Sequence, residues 1–237
     1  MNDIVVYGVG GTSRDLLECL EAINEDRRQW NILGFVDDNA ALAGTSVFDY
    51  PVLGSAAVLA QPIYRHCRIA IGVANDKSLF VRRKIREALD LLPDMNAERL
   101  PVIIHPSAAV SRRSRIGAGS VMFSGSFCSG NCSVGMHTLV LQGSVISHDS
   151  RLGDYVTLCA DVAMGGGVQI EDGAFVGLGA VVYPNVRIGQ ASRIGLGSVV
   201  LRDVADGDTV SGSPARIHER RCGQELDSVS HSQLAGV

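Results

Sequence analysis

From Ile104 to Val200 a large or apolar side chain recurs at every sixth residue. The series runs Ile104, Val110, Ile116, Met122, Cys128, Val134, Val140, Ile146, Leu152, Leu158, Met164, Ile170, Val176, Val182, Ile188, Ile194 and Val200. None of the seventeen is polar. A period of six suits neither a 3.6-residue helix nor a hairpin. It predicts short strands joined by tight corners, each strand sending one aliphatic residue inward. The next residue is often glycine (Gly117, Gly135, Gly153, Gly177, Gly189, Gly195), read here as the corner residue. Three such faces per turn make a triangular parallel coil, with the repeat as the unit of stability. The series closes near Pro214, which cannot donate to a further ladder.

The first hundred residues follow another pattern. Ile4–Tyr7 forms an apolar strand, followed by Gly8-Val9-Gly10-Gly11 and an amphipathic stretch from Ser13. The latter predicts a helix capped by Thr12 or Ser13. Ile32–Val36 forms a second strand ending in Asp37-Asp38. Arg68–Val73 forms a third, before a basic helix over about 77–89. Alternating β and α elements predict a small Rossmann-like parallel sheet. The fold class is thus α/β plus β. The expected domains are 1–100 for the Rossmann-like unit, 101–218 for a β-helix, and 219–237 as a tail.

Composition narrows the function. The 237 residues carry a net charge of −4, which leaves no global basic field for nucleic acid. No apolar run reaches the ~20 residues of a membrane span. Met1-Asn2-Asp3 opens without a signal-like stretch, so a cytoplasmic location is expected. The six cysteines show no C-x-x-C pair, and free thiols with no bound metal are expected. Glycine, at 27 residues, is abundant while aromatics are only 5%, in keeping with a tightly turned solenoid.

Two places carry candidate chemistry. The glycine turn after the first strand lets backbone N–H groups approach a phosphate, and Asp37-Asp38 ends the next strand, where a ribose or base is read. Within the repeat, His148 with Asp149 stands in the hexad from Ile146 to Arg151. A histidine beside a carboxylate is held in one tautomer and serves as a general base. A zinc site of the γ-carbonic anhydrase kind would need three histidines, two of them close together. His137 and His148 stand eleven apart instead.

These pieces together resemble the bacterial sugar O/N-acetyltransferases with hexapeptide repeats, whose members include sialic acid O-acetyltransferases and nucleotide-4-amino-sugar N-acetyltransferases. The resemblance rests on Tyr7–Gly11, Gly34-Phe35-Val36-Asp37-Asp38, Ser147-His148-Asp149, Gly177–Val186 and Gly212–Ala215. It implies a left-handed parallel β-helix, a homotrimer with its sites between neighbouring solenoids, and acetyl-CoA as co-substrate. It implies that the donor lies along Gly166, Leu178, Gly179 and Ala180, with a backbone N–H near Gly166 holding the oxyanion. Thr157 stands where many members carry a second histidine. The acceptor's nucleotide is expected at Gly8, Gly10, Gly11, Arg14, Asp37, Asp38 and Asn75, with its 4-amino group acetylated in surface glycan synthesis. A sialic acid O-acetyltransferase and a noncatalytic nucleotide-sugar-binding trimer are the alternatives.

Overall fold

In the computed structural model, residues 1–74 and 79–219 are described. They divide into two compact units, one of Met1–Ala74 with Val81–Pro101 and one comprising described residues 79–80 and 102–219.

In the first unit, β1 (Asn2–Tyr7) is flanked by β2 (Trp30–Val36), and the Tyr50–Pro51 and Ser46–Val47 strands form a small antiparallel hairpin. A further strand, Arg68–Ile71, pairs with the other side of β1, so β1 is the centre of a three-stranded parallel sheet. A central strand is buried on both faces, which is why Ile4, Val5 and Val6 form one unbroken apolar run at 0% exposure. Helix α1 (Gly11–Asp26) follows β1 and buries Leu16, Leu17, Leu20 and Ile23. Helix α2 (Val81–Leu89) starts later than the basic pattern suggests, and the intervening 75–78 lie outside the described residues.

The cap of α1 differs from expectation. Gly10 is the N-cap, in extended conformation and with no side-chain cap bond, and neither Thr12 nor Ser13 fills that role. Ser13 is instead buried inside the first turn. Its hydroxyl donates to the Gly72 carbonyl at 3.0 Å and lies 3.4 Å from the Tyr7 carbonyl, tying the helix to the ends of two strands.

The second unit is a left-handed β-helix of six coils. Residue i pairs with residue i+18 in parallel, giving three sheets. The faces are named in chain order from the strands Ile103–Ile104, Ala109–Val110 and Arg115–Ile116. The sixth-residue aliphatics form a continuous inner column from Met122 to Val200. Only the start departs from this: Val110 and Ile116 are partly buried, and Ile104 is 39% exposed, because the first coil has none before it. A hairpin of Thr209–Gly212 against Ala215–Glu219 closes the far end. The expected tail, beyond the backbone of Glu219, lies outside the described residues.

The corners correct one reading. Left-handed backbone occurs at the third residue after the inward aliphatic, in every hexad from Gly119 to Gly197. Glycine, Asn or Asp fills most of these places, as φ > 0 requires, and His137, Tyr155 and Ala191 fill the rest. The glycines directly after the aliphatic have another reason. A Cβ on Gly135 would meet the Gly153 backbone at 2.4 Å, and one on Gly117 the Gly135 backbone at 2.6 Å. They let successive coils approach and do not turn the chain.

Candidate functional site

Ile146 points into the core, and the chain then bends from the second face to the third. His148 lies on that bend with its side chain 70% exposed. Its Nδ1 lies 2.7 Å from Asp149 Oδ2. With Nδ1–H donating to the carboxylate, Nε2 is the nitrogen left to accept a proton. Asp149 occupies a left-handed corner position, φ 63°, which turns its carboxylate back onto the preceding side chain.

A third residue completes the group. Asn131 Nδ2 donates to Asp149 Oδ1 at 2.6 Å, so each carboxylate oxygen has one partner. The Asn131 bond, and next the His148 bond, hold the Asp149 pKa below its ordinary value. Asn131 is absent from the sequence-based assignment. It stands eighteen residues before Asp149, one coil away, and reading the chain at that period would have found it.

Gly166 sits one coil beyond His148. A Cβ there would lie 2.5 Å from His148 Cε1 and 2.7 Å from Nε2, so only glycine lets the imidazole lie on the coil. The Gly166 carbonyl accepts from Asn185 N, while its own N–H has no acceptor among the described residues. His148, Asp149, Asn131 and Gly166 thus share one edge of the prism.

The other donor-side residues do not. Leu178, Gly179 and Ala180 lie on the corner between the first and second faces. Leu178 is 52% exposed, and its N–H has no acceptor among the described residues. Gly179 N–H and Ala180 N–H are bonded to Ala160 O and Gly177 O, and the Ala180 methyl is fully buried. Thr157 lies on the first face at 4% exposure. Within one chain, the His148 edge and the Leu178 edge are separated by the second face.

That face is apolar throughout. Its outward positions are Ala109, Phe127, Val145, Ala163, Val181 and Val199, none of them buried. Exposed Leu178 and Leu196 border it on one edge, and Tyr183 and Leu201 on the other.

In the first unit, the glycine turn is open where a phosphate would approach. A Cβ on Gly10 or Gly11 would have nothing within 4 Å. Gly8, at φ 94°, is closely packed against Val73 and Ser13. The acidic pair is engaged internally. Asp37 accepts from Val9 N and Asn39 N, and Asp38 from the Tyr7 hydroxyl and Ala56 N. The pair therefore shapes the turn. Burial, followed by the bond to Asp38, raises the Tyr7 pKa and keeps the phenol a donor. Arg14 Nε donates to the Val9 carbonyl at 3.2 Å. Asn75 lies outside the described residues.

Cys19, Cys67, Cys128, Cys132 and Cys159 are free and buried, and burial pushes Cys19 and Cys128 up to about 12. Such thiols are poor nucleophiles. Among the described residues no group of three His, Cys, Asp or Glu could hold a metal, and no helix is long and apolar enough to cross a membrane.

Comparison with known proteins extends this picture. Residues 3–89 match the PglD N-terminal domain family. The chain is 35% identical over 227 residues to a GDP-perosamine N-acetyltransferase of Escherichia coli O157:H7, covering 93% of this chain and 98% of the relative. A perosamine N-acetyltransferase from Caulobacter crescentus, solved as a histidine-to-asparagine variant with CoA and GDP-perosamine, superposes with a TM-score of 0.80. It is 28% identical, and the match covers 93% of this chain and 98% of that one. The acetyltransferase domain of PglB from Neisseria gonorrhoeae FA1090, with acetyl coenzyme A, gives a TM-score of 0.80 at 27% identity. That match covers 92% of this chain and all of the other.

Proposed function

The chain belongs to the bacterial sugar acetyltransferases with hexapeptide repeats, and from that premise we propose that it acetylates the 4-amino group of a nucleotide-linked amino-sugar, with acetyl-CoA as donor, in bacterial surface glycan biosynthesis. The observation that carries the reading is the Asn131–Asp149–His148 group beside Gly166. It supplies an ordered base with a free backbone N–H one coil away. CoA and GDP-perosamine in the Caulobacter relative support both substrate classes.

In this reading the sugar nitrogen attacks the thioester carbonyl carbon and gives its proton to His148 Nε2. Asp149 holds the ring and offsets the imidazolium charge. The carbonyl oxygen becomes an oxyanion held by the Gly166 N–H. Collapse breaks the C–S bond, and the proton passes from His148 to the departing CoA sulfur. No acyl-enzyme is formed. The solenoid is the acyltransferase domain, and Gly8, Gly10, Gly11 and Arg14 hold the nucleotide part of the acceptor. Asp37 and Asp38 fix the shape of that turn.

The apolar second face is the surface on which copies of the chain assemble into a homotrimer. Assembly brings the His148 edge of one copy towards the Leu178 edge of the next, which the separation of these edges within one chain requires. Release of free CoA thiol from acetyl-CoA, measured across a panel of nucleotide-linked 4-amino-sugars and sialic acid, tests the activity. The expected result is turnover with an amino-sugar nucleotide and a loss of about 10²–10⁴-fold in His148→Ala. Near-normal turnover in that variant overturns the role of His148.

A further inference from the structure

Side chains four places after the inward aliphatics lie inside the corners, and several of them tie one coil to the next. Ser120, Thr138 and Ser144 each send a hydroxyl to the carbonyl fifteen residues on, in Gly135, Gly153 and Cys159, at 2.7, 2.9 and 2.7 Å. The same rungs recur on the edge that carries the base. Cys132 Sγ reaches the Ser147 carbonyl at 3.1 Å, just before His148. Ser150 Oγ donates to the Gly165 carbonyl at 3.3 Å. Ser150 is fully buried, and among the described residues the Gly165 carbonyl accepts from no backbone N–H.

The Ser150 rung ends on a particular peptide group. The Gly165 carbonyl shares one planar unit with the Gly166 N–H, and in a trans peptide the two point in opposite directions. A hydroxyl that draws this carbonyl toward the buried Ser150 therefore turns the N–H outward, beside His148. The need for such a hold is set by the packing. A Cβ on Gly165 would meet Pro184 at 2.6 Å, and one on Gly166 the His148 imidazole at 2.5 Å, so both places are confined to glycine. Glycine takes positive and negative φ about equally, so a peptide between two glycines turns over with little steric hindrance. The neighbouring backbone bonds, Gly165 N to Val182 O and Gly167 N to His148 O, hold the peptides on either side and not this one. The packing that admits the imidazole thus loosens the peptide next to it, and the Ser150 hydroxyl holds it.

We propose that Ser150 is a positioning residue for acyl transfer: its buried hydroxyl fixes the Gly165–Gly166 peptide with the N–H turned to the reacting carbonyl. The proposal rests on the acyl-transfer reading, in which that N–H holds the oxyanion. Ser150 touches neither substrate and acts through the peptide alone. The oxyanion exists only once the thioester carbonyl is attacked. Loss of the hold therefore falls on kcat and leaves ground-state binding of both substrates nearly as it was.

Steady-state constants are measured by thiol release for Ser150→Ala, Ser150→Thr and Ser120→Ala, with acetyl-CoA and the nucleotide-linked 4-amino-sugar turned over in the panel. Ser120 is equally buried and makes the same rung on the edge between the third and first faces, away from His148 and Leu178. Its variant therefore reports the loss of a rung alone. Thr138 shows that threonine fits such a position with its rung intact. The expected result for Ser150→Ala is a fall of about tenfold in kcat, with both KM values within about twofold. Ser150→Thr restores most of kcat. Ser120→Ala keeps kcat within about twofold, while its melting temperature falls as that of Ser150→Ala does. Unchanged kcat in Ser150→Ala overturns the proposal, as do equal losses of kcat in the two alanine variants or a loss confined to KM. Crystal structures of the unaltered protein and of Ser150→Ala give a readout independent of turnover. The Gly165–Gly166 peptide should be turned, or split between two orientations, in the variant. A single inward carbonyl in both proteins overturns the proposal. Absence of thiol release from the unaltered protein, with the contrast in peptide orientation intact, overturns the acyl-transfer reading while the Ser150 hold on the peptide stands.

Discussion

At the scale of single residues, the candidate site is a short hydrogen-bonded group with one member on a neighbouring coil. His148 and Asp149 are adjacent in sequence, and their pairing is legible there as a candidate base with its orienting carboxylate. Asn131 was not legible at a period of six, because its partner is three hexads away. Its role follows from Asp149, whose second oxygen it holds. Asn131→Ala is expected to lower kcat about tenfold and leave KM for acetyl-CoA little changed, since one charge-assisted hydrogen bond is lost from a group that acts through another. The pH dependence has a definite sign. Asn131 is the largest cause lowering the Asp149 pKa, so its removal raises that pKa. Protonation of Asp149 then begins at higher pH on acidification. An NMR titration of the Asp149 carboxyl in the two proteins checks this, and an unshifted midpoint together with unchanged kcat sinks the role of Asn131.

At the scale of elements, the inward column was fully visible, because one aliphatic per strand is the minimum a narrow triangular core demands. The job of the glycines was not. Sequence shows that Gly135 follows Val134 but not what lies one coil away, and contact with the next coil decides its role. Gly125 stands at a left-handed corner, φ 66°, with ordinary space around it, whereas Gly135 has none. The corner columns already hold Asn131, Asp161 and Asn185 at φ near 60°. Gly125→Asn is thus expected to leave the melting temperature within a degree or two. Gly135→Ala forces coils apart at a cost of about 1–3 kcal/mol. For a chain of this size that is a drop of roughly 2–12 °C. Thermal unfolding of the two variants checks the distinction, and equal losses refute it. The α1 cap was missed for a related reason: Ser13 has the composition of a cap, but the carbonyls of Tyr7 and Gly72 lie within reach of its hydroxyl.

At the scale of the whole molecule, the three faces of the solenoid differ by the same eighteen-residue period. Outward positions on the third face are Arg115, Ser133, Arg151, Gln169 and Arg187, polar without exception, whereas those of the second are all apolar. Six coils of unburied Ala, Phe and Val side by side form a continuous apolar strip of the kind that marks an interaction surface. Its six-strand length matches the solenoid, and its parallel rows suit another copy of the same flat sheet. A charge on this strip tests this directly. Val181 is 45% exposed in a single chain, so Val181→Arg leaves the fold of one copy unburdened while placing three like charges together on assembly. Light scattering is expected to give a trimer for the unaltered protein and a monomer for the variant. Circular dichroism should be unchanged, and thiol release should fall in parallel with the trimer because the Leu178 edge of a neighbour is withdrawn from the His148 edge. A monomeric unaltered protein with full activity would remove the need for a shared site. A dissociated variant retaining full turnover would show that one chain completes the site alone.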